Sequence, residues 1–224
     1  MKRKFQHIAY LLMVAAVITS CGEKKQTSEF PDWAWADFQR PEGINPIVSP
    51  DTTTVFYCPM RQDSVAWESS DTFNPAATIY DGKVVVLYRA EDNSAVGIGS
   101  RTSRLGYAYS DDGLHFNRMT VPVFYPADDN QKELEWPGGC EDPRVAVTDD
   151  GLYVMLYTQW NRKQARLAVA TSRDLQIWEK YGPAFAKAYG GRFFDEFSKS
   201  ASIVTKLVDG KQVIAKIDGK YWMY

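Results

Sequence analysis

The charged stretch at residues 136–144 has the residue types and the spacing for acid–base or sugar-binding chemistry. Glu141, Asp142 and Arg144 lie within four residues, directly after the turn-forming run Pro137-Gly138-Gly139. A strand-like apolar run starts at the next residue. Charges at the mouth of a buried strand are costly unless they pair or meet a polar ligand. Two hypotheses follow: a structural carboxylate–guanidinium pair that closes a turn, which the spacing alone favours, or a carbohydrate site.

Further polar residues could join such a site. Arg89 ends an apolar strand and is followed by Glu91 and Asp92. A sugar-facing role and a solvent-exposed charge at a strand end are both open for Arg89. Asn74 stands before Pro75, as Asp142 stands before a proline, and we expect it to contact substrate.

Histidine and cysteine chemistry is not indicated by the sequence. His7 lies in the N-terminal leader and His115 on a predicted outer turn, so they offer neither a catalytic dyad nor a metal site. Cys140 has no histidine to activate its thiol and is predicted to be a small buried residue. A disulfide between Cys58 and Cys140 is possible, but the sequence does not place the two cysteines together.

An internal repeat organises the chain. Residues 82–88 match residues 151–157, 69 positions later, and residues 219–224 match again after another 68. An Asp precedes each copy, which predicts Asp-Gly hairpin turns between apolar runs. Upstream of the first two copies, Asn74 corresponds to Asp142, 68 residues apart. The repeat therefore predicts that these two side chains occupy equivalent places in the fold.

A second repeated element completes each unit. Residues 104–116 parallel residues 166–178: a strand, a Ser-x-Asp turn, then an aromatic residue of the next strand. The turns are predicted to be closed by four side chains: Ser110, Asp112, Ser172 and Asp174. The aromatic residues Phe116 and Trp178 are predicted to lie in the core. Units of about four strands at a fixed period predict an all-β propeller, with few helices after residue 30.

The chain is predicted to hold only about two and a half blades. The third copy stops in mid-strand at Tyr224, and a propeller needs at least four blades to close its ring. We therefore expect a fragment of a longer protein. The alternative is a short protein that closes by pairing with another copy of itself, because an open ring would leave strand edges unpaired.

The N-terminus is predicted to be a bacterial lipoprotein signal peptide at residues 1–20. Three basic residues precede an apolar run that is too short to span a membrane, and Cys21 follows small residues in a lipobox-like sequence. Lipidation of Cys21 is predicted, with ordinary cleavage as the alternative. Residues 21–40 are predicted to be a tether and entry segment, and residues 41–224 a truncated β-propeller domain. The predicted location is outside the cytoplasm, membrane-anchored through lipid only, on the periplasmic or cell-surface side.

Composition excludes one class of partner. Without its three basic leader residues the chain has 23 basic and 28 acidic residues, a net charge of −5, which leaves no basic footprint for nucleic acid. Aromatic residues make up 14% of the chain. That fraction is compatible with sugar-stacking surfaces and equally with an aromatic β core.

Several motifs in fixed order resemble glycoside hydrolase family 130, the β-mannoside phosphorylases and β-1,2-mannosidases. The resemblance covers residues 45–224. It is carried by six segments: Asn74-Pro75-Ala76, Leu87-Tyr88-Arg89-Ala90, residues 108–113, Gly139-Cys140-Glu141-Asp142-Pro143-Arg144, residues 170–175 and residues 219–224. The resemblance implies a five-bladed β-propeller that binds a mannose-containing oligosaccharide at its central axis. It implies no cofactor and no metal.

The resemblance also implies residue roles. In phosphorylase members the Asp of the Glu-Asp-Pro-Arg motif is the catalytic acid, and Asp142 stands at that position. Inorganic phosphate is their co-substrate and a basic cluster holds it; Lys199, with Arg166 or Arg192, is a candidate for that cluster. The sequence around Lys199 departs from the phosphorylase pattern. The predicted substrate-binding set is Asn74, Arg89, Asp92, Glu141, Arg144 and Lys199.

The hydrolytic members use two Glu residues and water. Residues 219–224 and the export leader resemble that branch, whose catalytic Glu residues follow the stretch where this chain ends. We therefore expect an exported glycosidase that acts on β-mannosides, with β-1,2 linkages favoured, by single-step inversion. One alternative is a phosphorylase that releases mannose 1-phosphate. The other is a glycan-binding lipoprotein without catalysis.

Overall fold

The computed structural model describes residues 39–224. The predicted signal peptide, the lipidation site Cys21 and most of the predicted tether lie outside these residues. Glu42–Tyr224 forms one compact unit. The predicted all-β class is confirmed, because strands account for nearly all regular structure in the described residues.

Fourteen strands and one short helix follow each other along residues 39–224. Their bounds are β1 Phe56–Cys58, β2 Asp63–Val65, β3 Asp71–Tyr80, β4 Lys83–Glu91, β5 Ser103–Ser110, β6 Asn117–Arg118, α1 Lys132–Glu135, β7 Gly139–Val147, β8 Tyr153–Trp160, β9 Ala165–Ser172, β10 Glu179–Pro183, β11 Thr205–Val208, β12 Lys211–Ile214, β13 Lys216–Ile217 and β14 Lys220–Tyr221. Residues Ala188–Gly191 form a 3₁₀ turn. Strands β1 and β2 pair as a short antiparallel hairpin.

The two complete repeats fold as antiparallel units of four strands. In the first unit β3, β4, β5 and β6 pair in sequence order, and in the second unit β7, β8, β9 and β10 do the same. Each unit starts from the strand that carries the polar motif. The predicted correspondence of the two repeats is therefore confirmed at the level of strand pairing.

The turns explain a small irregularity in the repeat. Asp81 and Gly82 both have positive φ, 48° and 72°, as a two-residue type I′ hairpin requires. The second unit has one residue more between its polar motif and its glycine, and there only Gly151 has positive φ. Thr148 closes this longer turn by accepting and donating hydrogen bonds at Leu152. The extra residue accounts for spacings of 68 and 69 between corresponding positions.

The largest apolar core lies between the two units. It combines residues of β4 and β5 with residues of β7, β8 and β9, including Leu87, Leu105, Met155 and Tyr157. Tyr153 anchors the second unit to the first, because its hydroxyl donates to Ile79 O at 2.7 Å. This packing fixes how the polar ends of β3 and β7 face each other.

The side chains predicted to close turns do so. Ser110 accepts from the backbone N–H groups of Asp112 and Gly113, and Ser172 accepts from those of Asp174 and Leu175. Phe116 and Trp178 are partly buried against the two larger apolar clusters. The exposed His115 ring lies 2.7 Å from Asp112.

The possible disulfide is not formed: Cys58 and Cys140 are both buried and free. No helix of the described part of the chain is both long and apolar enough to cross a membrane. Within residues 39–224, no group of three or more His, Cys, Asp or Glu side chains is arranged to hold a metal ion.

Candidate active site

The polar motifs lie on bulges that recur in the two complete units. Strand register shifts between Phe73 and Ala76 in the first unit and between Glu141 and Arg144 in the second. Asn74 and Asp142 sit in these bulges with φ of 45° and 50°. Asn and Asp tolerate this left-handed conformation better than other side-chain-bearing residues. A bulge re-aims its side chain, so each unit directs one polar group out of the sheet pattern.

A third bulge-like position occurs at Ser200, whose φ is 58°. Val86, Met155 and Met223 occupy the same position in the three copies of the repeat. Each pairs with the residue three positions after a positive-φ residue: Val86 with Ala77, Met155 with Val145, and Met223 with Ile203. Ser200 is therefore the third-unit equivalent of Asn74 and Asp142. Lys199 stands one residue earlier, at the position that Glu141 occupies in the second unit.

The three units meet at Asp142. Its Oδ1 accepts hydrogen bonds from Asn74 Nδ2 at 2.9 Å and from Arg89 Nη1 at 3.0 Å. Its Oδ2 lies 3.2 Å from Lys199 Nζ. Lys199 also lies 3.6 Å from Glu141. We call Asn74, Arg89, Glu141, Asp142 and Lys199 the active-site cluster.

Arg89 is the buried centre of the cluster, with only 3% of its side chain exposed. Its Nη2 donates to Glu91 at 2.6 Å and to Glu141 at 2.8 Å, while Nε donates to Ser103 at 3.0 Å. The guanidinium carbon also lies 4.5 Å from the centre of the Phe73 ring. All three donor nitrogens are occupied, so Arg89 holds the carboxylates in place.

The pKa values of the neighbouring carboxyl groups of Glu141 and Asp142 are shifted in opposite directions. Burial raises the pKa of Glu141, and the charges of Arg89 and Lys199 offset this only in part. Burial acts on Asp142 as well, but the hydrogen bond from Asn74 and the interactions with Arg89 outweigh it and lower its pKa. Carboxyl groups with separated pKa values can take different roles in proton transfer. Asp142 stays ionised at neutral pH, and Glu141 is the easier of the two to protonate.

Two predicted site residues lie outside the cluster's contacts. The carboxylate of Asp92 is buried and pairs with Arg104 at 2.9 Å. Arg144 donates to the carbonyl of Pro143 at 2.7 Å. The ion pair hypothesised inside the motif is therefore made with a different arginine: Asp142 pairs with Arg89 from the first unit and not with Arg144.

The further cations predicted for a phosphate site have other partners. Arg166 pairs with Asp195 at 2.7 Å and donates to Phe194 O. Arg192 lies over the Phe193 ring. Of the predicted basic cluster, Lys199 alone contacts the active-site carboxylates in the described residues.

Two residues that support the cluster were not predicted from the sequence. Ser103 starts β5 and accepts from Arg89, and Phe73 packs under the same guanidinium. The repeat contains a signal for Phe73, because it precedes Asn74 as Glu141 precedes Asp142. No sequence signal identifies Ser103, since its role follows from its register opposite Glu91.

Comparison with known proteins gives consistent matches. The family model described as β-1,4-mannooligosaccharide phosphorylase matches residues 39–224. A 1,2-β-oligomannan phosphorylase of Thermoanaerobacter sp. is 36% identical over 152 residues, which are 66% of this chain and 46% of that protein. The chain thus spans about half the length of this curated relative.

Solved structures match more closely. A protein of Bacteroides thetaiotaomicron VPI-5482, provisionally described as a glycosidase, is 99% identical with a TM-score of 0.85, over 88% of this chain and 56% of that one. A second structure, from work on family members that are glycoside hydrolases targeting β-1,2 mannosidic linkages in Candida mannan, is 70% identical with a TM-score of 0.85. It covers 87% of this chain and 54% of that one. The chain belongs to glycoside hydrolase family 130.

Proposed function

We propose that the protein is a glycosidase that cleaves β-1,2-linked mannosides by single-step inversion. The observation that carries this proposal is that carboxylates already hold both cations of the active-site cluster. Three carboxylates, Glu91, Glu141 and Asp142, surround Arg89, and Lys199 adds one partly exposed cation. Both cations of the cluster are thus already held by carboxylates, which suits a neutral sugar with hydroxyl donors and opposes a phosphate dianion.

The cations of the cluster support the choice of water over phosphate. Every donor nitrogen of Arg89 already has an acceptor. Lys199, with 41% of its side chain exposed, is held between two carboxylates. A phosphorylase needs several cations free to hold phosphate, which replaces water and base as the nucleophile. The 70% identical structure, from work on family members that are hydrolases targeting β-1,2 mannosidic linkages, supports the same choice.

In the proposed reaction Asp142 is an ionised acceptor for a sugar hydroxyl. Its lowered pKa suits this role, and the amide of Asn74 and the ammonium of Lys199 fix its orientation. An inverting glycosidase also needs an acid and a base whose carboxyl groups lie roughly 6.5–9.5 Å apart. Glu141 and Asp142 both accept hydrogen bonds from the Arg89 guanidinium, so we assign them to holding the site together and not to that pair. We propose that Asp142 binds substrate and that the acid–base pair lies elsewhere in the full-length protein.

A direct experiment separates the two reactions. The full-length protein is incubated with β-1,2-mannobiose, with and without inorganic phosphate, and the products are resolved by chromatography. We expect free mannose at the same rate in both, released as the α-anomer that inversion of a β-linkage gives. Mannose 1-phosphate, formed only with phosphate, would establish the phosphorylase instead.

The phosphorylase is the second candidate, because the family model and the curated relative carry that description. In that reaction Asp142 would supply a proton through a sugar hydroxyl and phosphate would be the co-substrate. Binding of mannobiose without any turnover would favour the third hypothesis, a glycan-binding protein without catalysis.

We further propose that the repeats are blades of a five-bladed propeller with the cluster at its axis. The two four-stranded units and the equivalent third bulge support this arrangement.

We also propose export as a lipoprotein modified at Cys21, supported by the leader sequence. Incorporation of labelled palmitate in cells, and its loss in Cys21→Ala, tests the anchor.

A further inference from the structure

We propose that Trp160 and Phe197 form an aromatic rim that binds a second mannose unit of the substrate, next to the unit held by Asp142. This inference rests on the proposed function, because it names the sugar that the rim accepts. Neither aromatic residue contributes to the active-site cluster.

Phe197 is an exposed ring in an aromatic segment. The residue is 64% exposed, and the segment that leads to it contains Tyr189, Phe193 and Phe194 within nine residues. Exposure of a large ring to water is unfavourable, because it forgoes the gain of burial. The face that remains open is therefore available for a ligand.

Trp160 holds the rim in place. Its indole N–H donates to Gly99 O at 2.7 Å, which ties the end of β8 to the loop between β4 and β5. The Phe197 ring meets the Trp160 ring edge-on, with centroids 6.5 Å apart and an angle of 64° between the planes. Two rings fixed in this way lose little conformational freedom when a ligand stacks on them.

Each aromatic residue of the rim lies close in the chain to a residue in or beside the cluster. Trp160 pairs with Gly139, and Thr158 pairs with Glu141, so Trp160 is two residues from the cluster on the same face of the sheet. Phe197 precedes Lys199 by two residues. Two residues of extended chain span about 7 Å, which is comparable with a sugar ring and its linkage.

The chemistry of the rim complements that of the cluster. A mannose ring has polar hydroxyls at its edge and an apolar C–H surface on its faces. The cluster offers a carboxylate, an amide and an ammonium for hydroxyls, while its one aromatic ring, Phe73, is covered by Arg89. The rim offers the aromatic surface that the cluster lacks. Together they fit two adjacent units of one oligosaccharide.

The test compares one-unit and two-unit ligands on full-length Phe197→Ala. Calorimetry with mannose and with β-1,2-mannobiose gives binding, and product release from mannobiose gives kcat and KM. An aromatic contact of this kind corresponds to a factor of up to about ten. We expect KM and Kd for mannobiose to rise about tenfold, kcat to change less than about twofold, and mannose binding to stay the same.

Two further variants serve as controls. Phe197→Tyr keeps the ring and should bind mannobiose like the unmodified protein. Tyr181→Ala removes another exposed ring, on the outer strand β10, and should change nothing.

Unchanged mannobiose binding in Phe197→Ala would overturn the rim, even if the enzyme hydrolyses mannosides. Weakened mannobiose binding in a protein that shows no turnover would support the rim while the proposed hydrolysis fails. No binding of either sugar by the unmodified protein would overturn both.

Discussion

The first and second units share a backbone but carry different chemistry at the same place. At the bulge the first unit has Phe73 and Asn74, and the second has Glu141 and Asp142, with nearly the same φ at the second position. On the next strand the first unit has Arg89, and the second has Thr158 at the equivalent position in register. The scaffold is repeated, and the side chains have diverged to complement each other.

This divergence teaches how a site is made from a repeat. Asn74 donates to Asp142, and Arg89 reaches across to Glu141 and Asp142, so the first unit supplies donors and the second supplies acceptors. The third unit adds a cation at Lys199. Identical units could not do this, because like charges at equivalent positions that meet in one cluster would repel each other.

The largest effect should come from neutralising the second unit's acid. Asp142→Asn keeps the shape but removes the charge that faces Lys199 and accepts from Asn74 and Arg89. We expect kcat/KM of the full-length protein on mannobiose to fall about 10³-fold, as loss of a catalytic or charge-bearing contact does. Asp174→Asn, in a turn of the same unit, should stay within about twofold. Activity above about half in Asp142→Asn would remove Asp142 from the site.

Removing the first unit's cation should mainly affect stability. Arg89→Met leaves three buried carboxylates without their shared partner, which typically costs about 3–5 kcal/mol of unfolding free energy. The control Arg173→Met breaks a surface pair with Asp150 and should cost at most about 1 kcal/mol. Denaturant unfolding of both variants measures the difference. Equal losses would show that Arg89 does not organise the cluster.

The sequence predicts the units and their equivalent positions well, because hairpin turns and strand periodicity are local. The correspondence of Asn74 with Asp142 needs only spacing, and the structure joins the two side chains at 2.9 Å. The partner of Asp142 could not be predicted in the same way. Arg144 is near in sequence, yet the bulge turns Asp142 towards Arg89 on another unit, and that choice depends on how the units pack.

An insertion hid the bulge of the third unit in the sequence. Asn74 precedes its glycine by eight residues and Asp142 by nine, but Ser200 precedes Gly219 by 19 because the β11–β12 hairpin lies between them. Spacing alone could therefore not align Ser200 with the other bulges. The positive φ of Ser200, 58°, together with the pairing of Ile203 with Met223, reveals the equivalence.

Making the first unit resemble the second should disturb proton binding. Asn74→Asp places two carboxylates about 3 Å apart, so the pKa of one of them must rise strongly. We expect kcat/KM to fall about tenfold to a hundredfold at pH 7 and to recover in part as pH is lowered, when one proton is shared. A pH–rate profile parallel to that of the unmodified protein would contradict this. Asn74→Gln, which adds no charge, controls for the change of shape.

The smallest predicted effect is a difference between Glu141 and Asp142 in how each makes stability depend on pH. Because burial raises the pKa of Glu141, the stability it contributes is full below its ordinary pKa and is lost as pH rises through the raised value. Asp142 has a lowered pKa, so its contribution is present above its ordinary pKa and is lost as pH falls through the lowered value. As pH rises, the free energy of unfolding of the unmodified protein should therefore fall relative to that of Glu141→Gln. Relative to that of Asp142→Asn it should rise.

Denaturant unfolding of the full-length protein from pH 3 to pH 7 measures both trends, with changes of about 1 kcal/mol, the size of one buried polar interaction. The two windows differ. The Glu141→Gln comparison should change above about pH 4.5, and the Asp142→Asn comparison below about pH 3.8. Trends of the same sign would mean that Asn74 and Arg89 do not distinguish the two carboxylates. Opposite signs would show that donors from the first unit set the protonation of the acids of the second.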